Sequence, residues 1–266
     1  MKPLIKLLQH PLLKIIAAPF SYIFFGSIVS ITNTQQFNWL DFFLLYLIVL
    51  CTQLIDQYFF IRFAKQEVQS SSAMIIIVLE LLLIAFSIIF IVRQHWIINL
   101  LLILYLIFIH IQYFPFDFTR TFYHFVLNVF FNSFVLQTIA FYTQTQTVSN
   151  DFLYSLLPLV IFNAGLQLEQ STLRGIIAKQ TDAYSNSLFN KLSIGLCMVA
   201  IALAVYFSLP SQSYYLTQIL LVIVSLALIL PLLVSTDKVH QAQNKINYFS
   251  SVMLIFNLVY ALSYLY

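Results

Sequence analysis

Residues 73–92 read AMIIIVLELLLIAFSIIFIV, a run of twenty positions with one charged side chain, Glu80. The hydrocarbon core of a bilayer is about 30 Å thick, and an α-helix of about 20 apolar residues spans it. A helix on the surface of a soluble protein keeps a polar face toward water, and this segment has none. The stretch therefore predicts a membrane-spanning helix.

The composition extends this prediction to the whole chain. Of 266 residues, 61% are hydrophobic and 8% are charged, whereas a soluble domain carries about 25% charged residues. Backbone groups in lipid must satisfy one another, so spans of this kind form helices. We expect an all-α, polytopic membrane protein that forms a single integral membrane domain over residues 1–266. The nine expected spans are 14–31, 39–63, 73–92, 96–114, 122–142, 152–168, 188–209, 214–234 and 248–266.

Lysine and arginine are distributed unevenly between the segments that join these spans. With nine spans and an inner N-terminus, only Arg93 falls on the outer side, and the other eleven of the 12 basic residues fall on the inner side. Inner loops of membrane proteins carry such an excess of positive charge. The pattern predicts a cytoplasmic N-terminus and an external C-terminus.

Several classes of site are missing from the sequence. Cys51 and Cys197 each lie inside an apolar run, which predicts two buried, unpaired thiols rather than a disulfide. The chain has no phosphate-binding glycine loop, no cluster with zinc-ligand spacing and no basic patch for nucleic acid. We expect membrane lipids, and no nucleic acid, among its partners.

Two inner segments concentrate the polar residues. TQLIDQYFFIRFAKQEVQSSS follows the second span, at residues 52–72, and LQLEQSTLRGIIAKQTDAYSNS follows the sixth, at residues 166–187. Both combine acids, amides and bases at the cytosolic end of an apolar helix. Four spans separate them, so we expect them to face each other across the bundle as two halves of one site.

The chain resembles the UbiA-type intramembrane prenyltransferases, and most closely the branch that prenylates dihydroxynaphthoate in menaquinone synthesis. Residues 10–28, HPLLKIIAAPFSYIFFGSI, are similar to the first helix of that family, with a proline at mid-span and a glycine near the far end. Residues 113–168 follow the pattern of its helices four to six, including the Tyr-x-Pro exit at 113–115. The resemblance implies a UbiA-like bundle, transfer of a polyprenyl chain from its diphosphate to an aromatic or lipid acceptor, and a bacterial inner membrane.

The family holds its diphosphate through Mg²⁺ bound to two aspartate-rich motifs, because ionisation of an allylic diphosphate needs positive charge on the leaving group. This chain departs from both motifs. Gln53, Asp56 and Phe60 stand at the first, and Gln170 and Arg174 at the two aspartate positions of the second, with Glu169 one residue away. The resemblance implies Asp56 and Glu169 as catalytic, Mg²⁺-binding carboxylates. It implies substrate contacts from Gln53, Arg62, Lys65, Arg120, Asn128, Asn132, Gln170, Arg174 and Lys179.

Each candidate also has a structural interpretation. Asp56 pairs with Arg62 or Lys65 in that interpretation, and Glu169 pairs with Arg174 or Lys179. Glu80 lies within a span, so we expect it to face the bundle interior in a hydrogen bond. His124, Asn128 and Asn132 recur every four residues on one helix face. That stripe either lines a polar cavity or joins neighbouring helices.

Three functions remain open from the sequence. The first is a divergent UbiA-like prenyltransferase. The second is a non-catalytic relative that binds an isoprenoid or a quinone in the membrane. The third is a small transporter with a pathway along the polar faces of helices three, five and six, and the scarcity of charge within the spans argues against ion coupling in it.

Overall fold

The computed structural model describes residues 11–32, 34, 36–64, 73–113, 118, 121–177, 183–209, 215–234, 236 and 239–266. These residues form helices and connecting turns, with no strand among them. We number the helices α1 Pro11–Ile31, α2 Trp39–Phe59, α3 Ala73–Arg93, α4 Trp96–Ile111, α5 Phe122–Thr145, α6 Asn150–Ile177, α7 Ala183–Ser208, α8 Tyr215–Ile229 and α9 Val239–Leu265.

Seven helices, α2, α3 and α5–α9, are long and apolar enough to cross a bilayer. The protein is therefore a polytopic helical membrane protein, as the sequence predicts. The other two are shorter, since the apolar part of α1 covers Ile15–Ile31 and α4 has 16 residues. At 1.5 Å per residue, α4 is about 24 Å long. Nine spans are expected, and seven helices have the length and hydropathy of a span.

Helix starts follow ordinary capping chemistry. The side chains of Asn38, Thr121 and Ser149 accept hydrogen bonds from backbone amides three residues later, at the starts of α2, α5 and α6. Such caps satisfy amides that have no partner within the helix. Polar residues between the apolar runs therefore mark where helices begin.

Two helices extend well beyond their apolar runs. Helix α6 continues to Ile177, nine residues past the predicted end, and α9 begins at Val239 rather than at residue 248. The predicted helix ends at residues 168 and 248 were wrong. Glu169 of the first extension accepts a hydrogen bond from Lys245 of the second inside the bundle, so the helices persist where hydropathy alone predicts an end.

The core consists of two clusters, one in each half of the bundle. The first, which we call the N-terminal half, joins α2, α3 and α4 with one side of α1 and of α5. The second, the C-terminal half, joins α6–α9 with the opposite side of the same two helices. On α1, Ile23 lies in the first cluster and Phe25 in the second. Helices α1 and α5 are therefore the wall between the halves.

Helices α1 and α5 cross in close contact. Gln137 on α5 accepts a hydrogen bond from the Gly26 amide at 2.8 Å and donates one to the Ser21 carbonyl at 3.0 Å. Asn257 on α9 donates to the same carbonyl. A side chain at Gly26 would collide with the α5 backbone. Glycine thus permits the crossing, and the glutamine fixes its register.

One end of the bundle, which we call the Asp41 end, is tied together by hydrogen bonds. Asp41 on α2 accepts from Arg93 at 2.6 Å and from Gln94 at 2.8 Å, both at the end of α3. Gln144, near the end of α5, accepts from the Asn38 amide at 2.7 Å. The turns before α2, after α3 and after α5 therefore lie at the same end.

Candidate functional site

A polar cavity opens between the two halves, at the end of the bundle opposite Asp41. Helices α1 and α2 line one side of it, and α6 and α9 line the other. Its volume is about 110 Å³. We call it the amide cleft after its polar lining, which is Tyr22, Gln53, Asp56, Gln57, Asn163, Gln167, Gln170, Arg174, Gln243 and Ser250.

The two charged residues that line the amide cleft bind each other across it. Arg174 on α6 donates to Asp56 on α2 at 3.3 Å, and the two side chains are 24% and 14% exposed. The polar segments after the second and sixth predicted spans therefore meet, as the sequence predicts. Because the pair cancels its own charge, the rest of the polar lining consists of neutral amide and hydroxyl groups.

Asp56 has further donors in the turn that follows α4. Gln112 donates to its Oδ1 at 2.6 Å and the Tyr113 hydroxyl donates to the same oxygen at 3.1 Å. His124 on α5 contacts the Gln112 side-chain oxygen at 3.1 Å. Three donors, from α6 and from the turn after α4, thus hold one carboxylate in a fixed position.

Arg174 also contacts an aromatic ring. Its guanidinium carbon lies 5.2 Å from the ring centroid of Phe60, which begins the π-helical turn Phe60–Ala64 after α2. A cation over a ring face at this distance is favourable. The extra residue of a π turn changes the direction of the side chains that follow, and such turns are common at functional sites. Here Phe60 and Ile61 of that turn both line the amide cleft.

Glu169 lies away from the amide cleft lining, in the interior of the C-terminal half. It accepts from Lys245 on α9 at 2.8 Å and from Asn190 on α7 at 3.1 Å, and its side chain is 4% exposed. Lys245 also donates to the carbonyl oxygen of Val234 at 2.9 Å. Of the expected partners of Glu169, Arg174 was wrong, because it binds Asp56 instead, and Lys179 lies outside the described residues.

The remaining predicted residues are placed as follows. Gln53 and Gln170 line the amide cleft from opposite sides. Arg62 donates to the Tyr58 hydroxyl at 3.2 Å on its own helix. Asn132 donates to Asn128, and neither belongs to the cleft lining. Lys65, Arg120 and Lys179 lie outside the described residues.

Comparison with known protein families, with curated proteins and with solved structures finds no match for this chain. The chemistry of the amide cleft therefore carries the functional conclusion.

The described donor set does not fit a bound Mg²⁺ ion. No group of three or more His, Cys, Asp or Glu side chains comes together within the described ranges. Asp56 is the one carboxylate that lines the amide cleft, and its oxygens already accept three hydrogen bonds. A magnesium site needs oxygen ligands with free lone pairs in octahedral geometry. The magnesium role implied for Asp56 and Glu169 stays a prediction.

Sequence reasoning missed several wall residues. Gln243 precedes residue 248, where the sequence predicts that the last span begins, and Gln57 is not among the predicted site residues although it adjoins Asp56. Tyr22 lies three residues after Pro19 within an apolar run. A usable signal was present for Gln243, since Gln243, Ile246 and Ser250 recur at helical spacing and all line the cleft.

Proposed function

We propose that this protein binds an amphipathic membrane lipid of the isoprenoid or quinone class, with the polar head of that lipid in the amide cleft. The observation that carries the proposal is a hydrogen-bonding cavity between two apolar half-bundles in which the two charges neutralise each other. Amide side chains both donate and accept, so they suit a neutral head with carbonyl or hydroxyl oxygens.

The volume of the amide cleft suits the polar head of such a lipid and not the whole molecule. Its volume of about 110 Å³ is below the roughly 300–1,000 Å³ of pockets that enclose a drug-sized molecule. A head group fits that space, whereas a polyprenyl chain needs an apolar surface outside it. The apolar lining residues Leu50, Leu54, Phe249 and Met253 supply the start of such a surface.

One observation favours prenyl transfer as a second candidate. The two segments at which the UbiA-type family carries its aspartate motifs meet in this cavity through Asp56 and Arg174. In this version the C–O bond of an allylic diphosphate breaks and pyrophosphate leaves with the electron pair beside the Arg174 guanidinium. The acceptor carbon then attacks the cation, and its proton passes to the released pyrophosphate. An arginine suits a phosphate oxygen because it donates from a planar fork.

Lipid binding is tested on the full chain purified in mild detergent, with its retained lipids measured by mass spectrometry. We expect the variant Gln170→Leu/Gln243→Leu to retain about tenfold less isoprenoid or quinone than the wild type, since a hydrogen bond contributes about 0.5–1.5 kcal/mol. Gln241→Leu is the matched control, because Gln241 is exposed on α9 two residues from Gln243. Equal retention by the wild type and both variants would contradict the proposal.

A pyrophosphate assay with a polyprenyl diphosphate and a naphthoate acceptor distinguishes prenyl transfer from lipid binding alone. A transferase releases pyrophosphate, and Asp56→Ala abolishes that release. A binding protein retains lipid and releases none. Dependence of pyrophosphate release on added Mg²⁺ would support the magnesium site that the family resemblance implies.

We further propose that all nine helices cross the membrane, with the N-terminus in the cytoplasm, the C-terminus outside and a bacterial inner membrane as the location. The uneven distribution of lysine and arginine supports this orientation. The hydrogen bonds at the Asp41 end support the count, because the turns after α3 and after α5 share that end.

A further inference from the structure

Asn163 is the most deeply placed of the polar residues that α6 contributes to the amide cleft. These residues are Asn163, Gln167, Gln170 and Arg174, and their spacing of three or four positions puts them on one helix face. Arg174 lies near the end of α6, and at 1.5 Å per residue Asn163 is about 16 Å further along the helix axis. Asn163 is 2% exposed. The cleft therefore carries a polar group deep within the bundle.

Helix α5 holds the side-chain amide of Asn163. Its Nδ2 atom donates to the hydroxyl oxygen of Ser133, which is fully buried. Ser133 belongs to the π-helical turn Phe130–Val135 within α5, and such turns are common at functional sites. No described hydrogen bond reaches the Oδ1 atom of Asn163. The nitrogen thus points to α5, and the oxygen is the atom that Asn163 offers to the cleft.

A buried amide oxygen without a donor is unfavourable. Charged groups elsewhere within the spans do find partners. The expectation that Glu80 forms a hydrogen bond within the bundle is confirmed, since the Nε2 atom of His110 lies 3.0 Å from its Oε1 atom. Glu169 binds Lys245 in the same way. The Asn163 oxygen instead borders a cavity, so a bound ligand can supply its donor.

Tyr22 stands on the opposite wall of the cleft, on α1. It is half-buried, and no described hydrogen bond involves its hydroxyl group. A ligand hydroxyl suits both residues, because it can donate to the Asn163 oxygen and accept from the Tyr22 hydroxyl. A quinone carbonyl or an ether oxygen only accepts. Such a group would leave the Asn163 oxygen unpaired.

We propose that the amide cleft selects an isoprenoid lipid whose head carries a hydroxyl group over one with only carbonyl or ether oxygens, and that the Asn163 oxygen makes this selection. The inference rests on the proposed function and adds the chemical state of the head. Gln167 and Gln170 do not discriminate, because no described partner fixes their amides and each can turn to donate or accept. A site built to bind a hydroxyl rejects the analogue that lacks it, since its own buried group is then unpaired.

The test measures equilibrium binding of four probes to the full chain in mild detergent. One pair is a naphthoquinone with a geranylgeranyl chain and its hydroquinone, kept reduced with dithionite under argon. The other pair is geranylgeraniol and its methyl ether. We expect the wild type to bind the hydroxyl member of at least one pair about tenfold more tightly than the other member, because an unpaired buried acceptor costs about that much. The pair that shows the preference identifies the source of the hydroxyl.

Four variants separate selection from affinity. Asn163→Leu should bind both members of that pair equally, and Ser133→Ala should weaken the preference, because the freed amide can turn. Tyr22→Phe should weaken both members by a similar factor and keep their ratio, since a phenol donates to a hydroxyl, carbonyl or ether oxygen alike. Asn244→Leu is the matched control with an unchanged ratio, because Asn244 contacts His240 on α9 and is not part of the cleft lining.

A thiol-reactive dye verifies that each variant is folded, because Cys51 and Cys197 are free and buried, as the sequence predicts. If Asn163→Leu does not fold, Ser133→Ala decides the question. Equal binding of both members of both pairs by the wild type, or a preference that persists in these two variants, overturns this inference and leaves lipid binding intact. Absence of binding by all four probes overturns the proposed function as well.

Discussion

At the residue scale, the Asp56–Arg174 ion pair links the two halves across the amide cleft. We predict that Asp56→Asn and Arg174→Gln each lower the free energy of unfolding by about 1–3 kcal/mol, because each leaves a mostly buried charge without its partner. The double variant should lose less than the sum, with a coupling of about 0.5–3 kcal/mol. Unfolding in a graded detergent series measures all four proteins. Additive losses would show that the pair does not join the halves.

The same scale explains which site residues could be predicted. Asp56, Gln53, Gln170 and Arg174 follow from their places near the family motifs, and all four line one cavity. Glu169 differs from Gln170 by one position, and adjacent residues on an α-helix point about 100° apart. The carboxylate therefore turns toward Lys245 and away from the cleft. Because Glu169 is one residue away from the motif position, it lies on another face of the helix. Sequence spacing alone could not identify Lys245 as its partner.

At the element scale, the crossing of α1 and α5 depends on one glycine. A Cβ atom at Gly26 would overlap the Gln137 carbonyl and lie 3.2 Å from the Phe141 amide nitrogen. Since backbone cannot yield as a flexible side chain does, we predict that Gly26→Ala costs about 1–3 kcal/mol. Gly195→Ala is the control, because a Cβ atom there meets nothing within 4 Å. Thermal unfolding should show a clear loss for the first and none for the second.

Helix ends were the least predictable elements, for a physical reason. Hydropathy places an end where apolar residues stop, so α6 was expected to end at residue 168 and α9 to begin at residue 248. In the structure, polar side chains of both extensions find partners inside the protein, as Lys245 does with Glu169. A helix ends where its backbone or side chains lose their partners. Partners from distant helices are not visible in one segment of sequence.

At the scale of the whole molecule, composition and hydropathy predicted the class of fold and the approximate position of each helix. The division into two half-bundles was not predicted, because it depends on which faces of α1 and α5 meet which neighbours. Ile23 and Phe25 are two positions apart in one apolar run, yet they join different core clusters. Hydropathy does not distinguish one apolar residue from another, so the cluster that each residue joins is known only once the helices pack. The amide cleft lies on that division, which is why its full lining also appears only in the folded protein.

The number of spans can be tested by the side of the membrane on which two turns lie. If all nine helices cross, both residue 95 and residue 147 are external. If the short helices α1 and α4 do not cross, residue 95 becomes cytoplasmic, whereas residue 147 stays external. His95 and Thr147 are both exposed, and the hydrogen bonds at the Asp41 end place their turns together.

We therefore predict that His95→Cys and Thr147→Cys, each in a Cys51→Ser/Cys197→Ser background, react equally with a membrane-impermeant thiol reagent added outside intact cells. Thr147→Cys is the internal control, because both arrangements expose it externally. Labelling of Thr147→Cys alone would contradict the nine-span arrangement. Residue 95 would then be cytoplasmic, and α4 would not cross the membrane. Labelling of neither variant would contradict the orientation inferred from the basic residues, because both turns would then lie on the cytoplasmic side.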